Sequence, residues 1–247
     1  MNMKQIIKNI PLAGSVCRRI YRRLINPSTS RPFQGSGNYW NNRYKAGGNS
    51  GDGSYSHLAE FKAEILNTFV AENGITSIIE YGCGDGNQLS LAKYPRYIGF
   101  DVSPQAISMC LKRFSNDATK TFKLMETHAG ETAELTLSLD VIYHLVEDDV
   151  FFDYMNVLFE SSERFVVIYS SDTDNNPEGT APHVRHRHFS SWINENKTEW
   201  KLIKHIPNRY PFNGDTKSGS FAEFYIFSKA QQCAAPGGNT AAPHCCR

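Results

Sequence analysis

The first 51 residues of this chain contain no aspartate and no glutamate, yet they hold nine basic residues, Lys4, Lys8, Arg18, Arg19, Arg22, Arg23, Arg31, Arg43 and Lys45. The total hides this, because 26 Lys and Arg stand against 25 Asp and Glu over 247 residues. Past residue 51 the balance is 17 basic residues against all 25 acidic ones, so a basic arm precedes an acidic body. An acidic body with no coherent run of basic residues weighs against a nucleic-acid partner, although the arm alone could bind phosphate backbones nonspecifically. Long apolar runs are missing too. None approaches the roughly 18 residues that a membrane-spanning helix requires, and the start, interrupted by Lys8 and Pro11 and followed by more arginines, is a poor match to a signal peptide. The six cysteines, Cys17, Cys83, Cys110, Cys233, Cys245 and Cys246, form no C-x-x-C pair. That excludes a disulfide framework and a structural zinc pattern, and a reducing cytoplasm is the expected setting. No internal repeat is visible.

What is present divides into four stretches. Residues 1–32 read as a basic amphipathic arm in which Val16, Ile20 and Leu24 share one helical face and Arg18, Arg19, Arg22 and Arg23 the other. Such a helix could lie on the inner surface of an anionic membrane or dock on the protein's own body, and a mitochondrial transit peptide has similar composition. Residues 33–56 are rich in Gly, Ser and Asn but carry Tyr39, Trp40, Arg43, Tyr44 and Tyr55, too many aromatics for a plain linker. Residues 57–229 form the folded domain, and residues 230–247, rich in Ala, Gly, Pro and Cys, are expected to be disordered.

Within the domain, helical and strand patterns alternate. A helix over residues 57–72 stops at Asn73-Gly74. Strands are expected at 77–81, 96–100, 119–124, 135–139 and 165–169, with helices at 87–93, after Ser103-Pro104, at 150–158 and near 190–195. This rhythm predicts an α/β fold, a doubly wound, mostly parallel sheet with helices on both faces. The strands at 200–206 and 220–227 are joined without helical periodicity, so they should form an antiparallel pair.

The segment Ile78-Ile79-Glu80-Tyr81-Gly82-Cys83-Gly84-Asp85-Gly86 follows a strand and opens a helix. Glycines there let the backbone turn tightly and approach a ligand. A pyrophosphate fingerprint, G-x-G-x-x-G, would put its last glycine where Asn87 stands, which weakens a nicotinamide-dependent oxidoreductase reading. Glu80 repels phosphate and balances a cationic amino or sulfonium group. Asp101, closing the next strand, is placed to accept two hydrogen bonds from a ribose diol. Together they describe a positively charged nucleoside without phosphate, and S-adenosylmethionine is such a ligand.

Glu80, Gly82, Gly84 and Gly86 with Asp101 resemble motifs one and two of the class I S-adenosylmethionine-dependent methyltransferases, and the resemblance spans roughly residues 57–228. It implies a Rossmann-like, seven-stranded sheet with an antiparallel last strand. It also implies that Gly82, Cys83, Gly84 and Gly86 pass beneath the methionine portion, that Glu80 or Asp85 acts near its amino group, and that Asp101 holds the ribose with Val102 at the adenine. Glu126 and Glu131 both stand where the family often places an acid on the adenine amino group. Tyr39, Trp40 and Arg43 occupy the place of an N-terminal lid, which could cover the cofactor and pair its carboxylate.

In open α/β sheets the ligand crevice lies beyond the carboxyl ends of the strands. Asp140-Val141-Ile142-Tyr143-His144-Leu145, after the fourth strand, resembles the family's fourth motif, which makes Asp140 and His144 the catalytic candidates and Tyr143 an acceptor contact. In-line methyl transfer can draw most of its rate from alignment alone. After the fifth strand, Asp172, Arg185, Arg187 and His188 are the remaining acceptor candidates, with Arg185 and Arg187 suited to an anionic group. His183, His186 and His188 lack a completing acid or cysteine, so no metal is expected. The expected activity is methyl transfer to oxygen or nitrogen of a small molecule or glycan precursor. The rivals are an NAD(P)-dependent oxidoreductase and a silent, membrane-associated module of the same fold.

Overall fold

The computed structural model describes residues 33–230. The arm at residues 1–32, with its proposed membrane face, and the tail from residue 231 lie outside the described residues. The chain forms α1 (Ser36–Lys45), α2 (Ser56–Glu72), β1 (Ser77–Tyr81), β2 (Arg96–Asp101), α3 (Pro104–Arg113), β3 (Lys120–Leu124), β4 (Ala133–Leu139), α4 (Asp148–Glu160), β5 (Ser162–Ser170), α5 (Phe189–Asn196), β6 (Trp200–Ile206) and β7 (Glu223–Lys229). Short 3-10 turns stand at Asp52–Ser54, Gln88–Leu91 and Ile142–His144. The helix expected at 87–93 is thus a single tight turn.

The seven strands are ordered β3-β2-β1-β4-β5-β7-β6. The pairs among β1 to β5 are parallel, and β7 runs antiparallel to both β5 and β6. This is the seven-stranded sheet with an antiparallel last strand that the motifs imply. Strand alternation divides the core in two. Ile78 and Val167 join Phe61, Leu66 and Phe69 of α2 and Ile107 of α3 on one face. Their neighbours Ile79, Val166 and Ile168 join Phe151, Met155 and Leu158 of α4 and Ile193 of α5 on the other. Burying one such aliphatic side chain contributes about 1.5–3 kcal/mol, so both faces are needed to hold the sheet between its helices.

Strand order reverses between β1 and β4. The loops that leave the carboxyl ends of two adjacent parallel strands in opposite directions open a crevice there. No described helix is long and apolar enough to cross a membrane.

Candidate active site

The crevice is a cavity of about 330 Å³ whose polar floor comes from strand ends and the glycine loop. Gly82, Gly84 and Gly86 have φ of 84°, 58° and 74°, a left-handed backbone that favours glycine. Space is equally tight: a Cβ on Gly82 would stand 2.5 Å from Val141 Cγ2, and one on Gly84 would strike Ser50 Oγ. Asp101 is buried and accepts hydrogen bonds from the Gly84 amide at 2.9 Å and the Ser103 amide at 2.8 Å. Burial pushes its carboxyl up to about 6 despite those bonds. Glu80 is buried as well, and burial raises it to about 7 even though the Tyr97 hydroxyl donates to it at 2.7 Å. Val102 is exposed and lines the cavity together with Met125 and Tyr154.

Of the motif residues, Glu80, Gly82, Cys83, Gly84, Asp101 and Val102 line this cavity. Asp85 and Gly86 do not. The Asp85 carboxylate accepts from the Ser50 amide (3.0 Å), the Tyr55 hydroxyl (2.7 Å) and the Asn87 amide (2.9 Å). Burial works against its charge, but these bonds outweigh it and hold the carboxyl below its ordinary range. Asp85 therefore fastens the 50–55 segment to the glycine loop, and of the two acids considered for the amino group only Glu80 lines the cavity. Gly86 packs under Cys110 and Phe114 of the α3 end. Asn87 donates to Ser54 O and accepts from Arg113, and only a one-turn 3-10 helix follows it, so no free helix N-terminus awaits a pyrophosphate.

The expected lid is α1. Trp40 and Tyr44 wall the cavity. The helix is tied at its start by Ser36, whose amide and hydroxyl donate to Glu147 at 2.9 and 2.6 Å, and at its end by Tyr44, whose hydroxyl lies 2.9 Å from Ser50 Oγ. Tyr39 and Arg43 stand elsewhere than expected. Tyr39 stacks on His183 at 4.1 Å and 8°. Arg43 donates to Asn49 O at 2.6 Å and faces a second cavity. Neither lines the first cavity, because successive turns of α1 present them to the 171–188 loop.

Asp140 sits where the cavities meet. Its φ of 59° is unusual for a non-glycine residue, and such strain persists only where surroundings enforce it. Here its amide donates to Tyr169 O, and its carboxylate accepts from Lys62 Nζ at 2.5 Å and from the Tyr143 hydroxyl at 2.8 Å. Lys62, whose side chain is 1% exposed, was not singled out in the sequence. Its signal is a lysine one turn past Leu58, on the apolar stripe of α2. His144 lines both cavities. Its Nδ1 donates to His183 O at 2.9 Å, and burial lowers it to about 4. A weak, neutral imidazole committed to a backbone carbonyl and packed against Trp40 at 4.9 Å suits a wall better than a general base.

The second cavity, about 940 Å³, lies beside the first and is lined by two of the acceptor candidates, Tyr143 and Asp172. Arg185, Arg187 and His188 line neither cavity. Arg185 reaches Asp148 at 2.9 Å and Val146 O, and Arg187 reaches Asp148 at 2.6 Å and the carbonyls of Leu145 and Val146. Both turn toward the start of α4, whose carbonyls and Asp148 give the buried Arg187 guanidinium and the half-exposed Arg185 their partners. His188 lies 3.1 Å from Ser191 Oγ at the start of α5. Likewise Glu131 pairs with Lys123 at 2.7 Å, and neither it nor Glu126 lines the first cavity; Met125 does. Besides Lys62, sequence reasoning missed Gln88, which is buried at this cavity with its Oε1 unpartnered. Nothing local marks a buried glutamine in a surface-like turn. Among the described residues no group of three metal-ligating side chains converges.

No protein-family profile matches the chain. It is 25% identical over 197 residues, 66% of its length, to the small RNA 2'-O-methyltransferase of Arabidopsis thaliana, and it spans about a fifth (21%) of the length of that curated relative. Among solved structures it is similar to the N-methyltransferase NodS from Bradyrhizobium japonicum, with a TM-score of 0.61 and 13% identity over 80% of this chain and 100% of that one. A small RNA methyltransferase gives a TM-score of 0.52 and 18% identity, covering 74% of this chain and 27% of that one. The chain has the Rossmann-like fold of the class I S-adenosylmethionine-dependent methyltransferases, as its motifs imply. One expectation is overturned. The charge balance weighed against a nucleic-acid partner, while the curated relative and a solved structure to which this chain is similar are both named for methylating small RNA. Net charge sums over a whole surface and does not describe the one face a polynucleotide would meet.

Proposed function

We propose that this protein is an S-adenosylmethionine-dependent methyltransferase acting on oxygen or nitrogen of a small molecule or glycan precursor. One observation carries this reading: the cavity at the β1/β4 reversal joins a glycine-bounded floor, two buried carboxylates and a lid in one enclosed space. The residues fit the cofactor. Asp101 has lone pairs left for a ribose diol, Val102 and Met125 offer apolar faces to a base, and Glu80 with the unpartnered Gln88 Oε1 suits an ammonium group. When bound, the cofactor would supply a methyl group activated on a cationic sulfur. The chain's own contribution is placement: Trp40 and Tyr44 exclude water, and Asp140, fixed by Lys62 and Tyr143, orients the acceptor at the junction of the cavities.

Calorimetry with S-adenosylmethionine, S-adenosylhomocysteine and NAD tests the reading. Binding of the first two and not the third is expected, and binding of NAD alone would favour the oxidoreductase. Transfer of labelled methyl into any component of a cell extract separates an enzyme from a silent module. A second reading, a ribose hydroxyl of RNA as acceptor, is favoured by the 25% identity to the small RNA enzyme, and labelled transfer to short RNAs tests it. We further place the protein in the cytoplasm, a reading supported by its cysteine usage.

A further inference from the structure

The second cavity lies between residues 50–53, the loop at 171–186 and the stretch 212–225, and Ser50, Asp140 and His144 line it in common with the first. Its charged side chains are lopsided: Asp52, Asp140, Asp172, Glu178 and Glu223 against Arg43 alone. Lys62 offsets Asp140 from the other side, and Arg43 is engaged by Asn49. The arginines nearest in sequence do not compensate, since Arg185 and Arg187 are spent on Asp148 and backbone carbonyls. The three imidazoles in the wall, His144, His183 and His186, are all lowered by burial, so they add no positive charge at neutral pH. Tyr143, Phe212, Phe221 and Tyr225 line the same cavity.

An anionic acceptor would meet this wall unfavourably. Like charges repel, and more strongly at a protein surface, where the effective dielectric is lower, than in water. An ammonium group gains from the same carboxylates and from aromatic faces, which attract cations. We propose that the second cavity is the acceptor subsite for an amine-bearing molecule, methylated on nitrogen at its junction with the first cavity. This rests on the methyltransferase reading and narrows its acceptor. The step balances: the ammonium gives one proton to solvent, and the freed nitrogen lone pair forms the N–C bond. The S–C bond of the sulfonium donor breaks with its pair left on sulfur.

The test uses the protein loaded with S-adenosylhomocysteine, titrated with shape-matched probes: benzylamine, benzyl alcohol and benzoate; glucosamine, glucose and glucose 6-phosphate; and a short RNA. Amine members are expected to bind at least about tenfold more tightly than their neutral partners, a difference of about 1.4 kcal/mol, with no binding by the anions. Glu223→Gln and Asp172→Asn should each weaken amine binding several-fold, while the S-adenosylhomocysteine affinity reports that the variants are folded. Equal or tighter binding of benzoate, glucose 6-phosphate or RNA would overturn the proposal, as would amines that bind no better than alcohols or fail to bind. Failure of S-adenosylhomocysteine itself to bind would instead bring down the methyltransferase reading and the proposal with it.

Discussion

The two cavities differ in how they are made. The first is built from the ends of β1, β2 and β4 and from a glycine loop whose backbone angles leave little choice of residue. The second is built mostly from long connections, 171–186 and 212–225, whose side chains are placed by partners far away in sequence. A cavity floored by strand ends is specified by a compact motif, whereas one walled by loops is specified by contacts that no local pattern announces. They meet at Asp140, where a strained backbone and a buried ion pair hold the junction.

The junction offers the strongest test. Lys62→Met leaves the Asp140 carboxylate without its buried partner, and a loss of about 3–5 kcal/mol in denaturant unfolding is expected. Adding Asp140→Asn should recover most of that loss, and no recovery would mean that Lys62 acts through packing alone. The first cavity comes next. Asp101→Ala removes the acceptor of two amide hydrogen bonds along with the proposed ribose contact. At about 1.5–3 kcal/mol for bonds to a charged group, S-adenosylhomocysteine should bind roughly 10- to 100-fold more weakly by calorimetry. The same substitution should leave the second cavity's probe selectivity in place.

Protonation sharpens the comparison further. Glu80 holds its proton in the folded chain up to about pH 7, above the ordinary 4.5, because it is buried. The unfolded chain releases that proton first, so stability without ligand is highest at the acid end and should fall by about 1–2 kcal/mol as the pH rises from about 5 to 7. Affinity for the cationic cofactor should move the opposite way, rising over the same interval as the carboxylate forms. Glu80→Gln should flatten both profiles, and unchanged slopes would assign the titration to another group. The smallest effect is expected at the lid. Tyr39→Ala removes a stack on His183 worth about 0.5–1.5 kcal/mol. Faster amide exchange in α1, with Asp101-dependent cofactor binding retained, is the expected signature.

Much of the first cavity was legible. Glu80, Gly82, Gly84, Asp101 and Val102 could be read because strand, turn and strand follow within 25 residues, and spacing along the chain is then close to spacing in space. Asp85, the other acid considered for the amino group, lies off the first cavity for a reason outside that window: its partners Ser50 and Tyr55 are some thirty residues upstream. Arg185 and Arg187 line neither cavity for a similar reason. A basic loop beside an expected acceptor site suggests anion binding, yet the corner at Leu145, Val146 and Asp148 claims both guanidinium groups. Lys62 and Gln88 escaped notice because a polar residue on a helix or turn is ordinarily solvated, and only the packing of α2 and of the Gln88–Leu91 turn against the sheet removes water from them.

By itself the sequence determined the doubly wound sheet, its antiparallel final strand and most of the residues that line the first cavity from β1, β2 and the glycine loop, since periodicity, glycine spacing and strand-end carboxylates are local properties. The tertiary structure decided which carboxylate faces that cavity, which cation neutralises Asp140, and that the arginines of the 171–188 loop turn away from the acceptor side. Those outcomes depend on which buried polar groups find partners across the fold, and burial makes each such pairing obligatory.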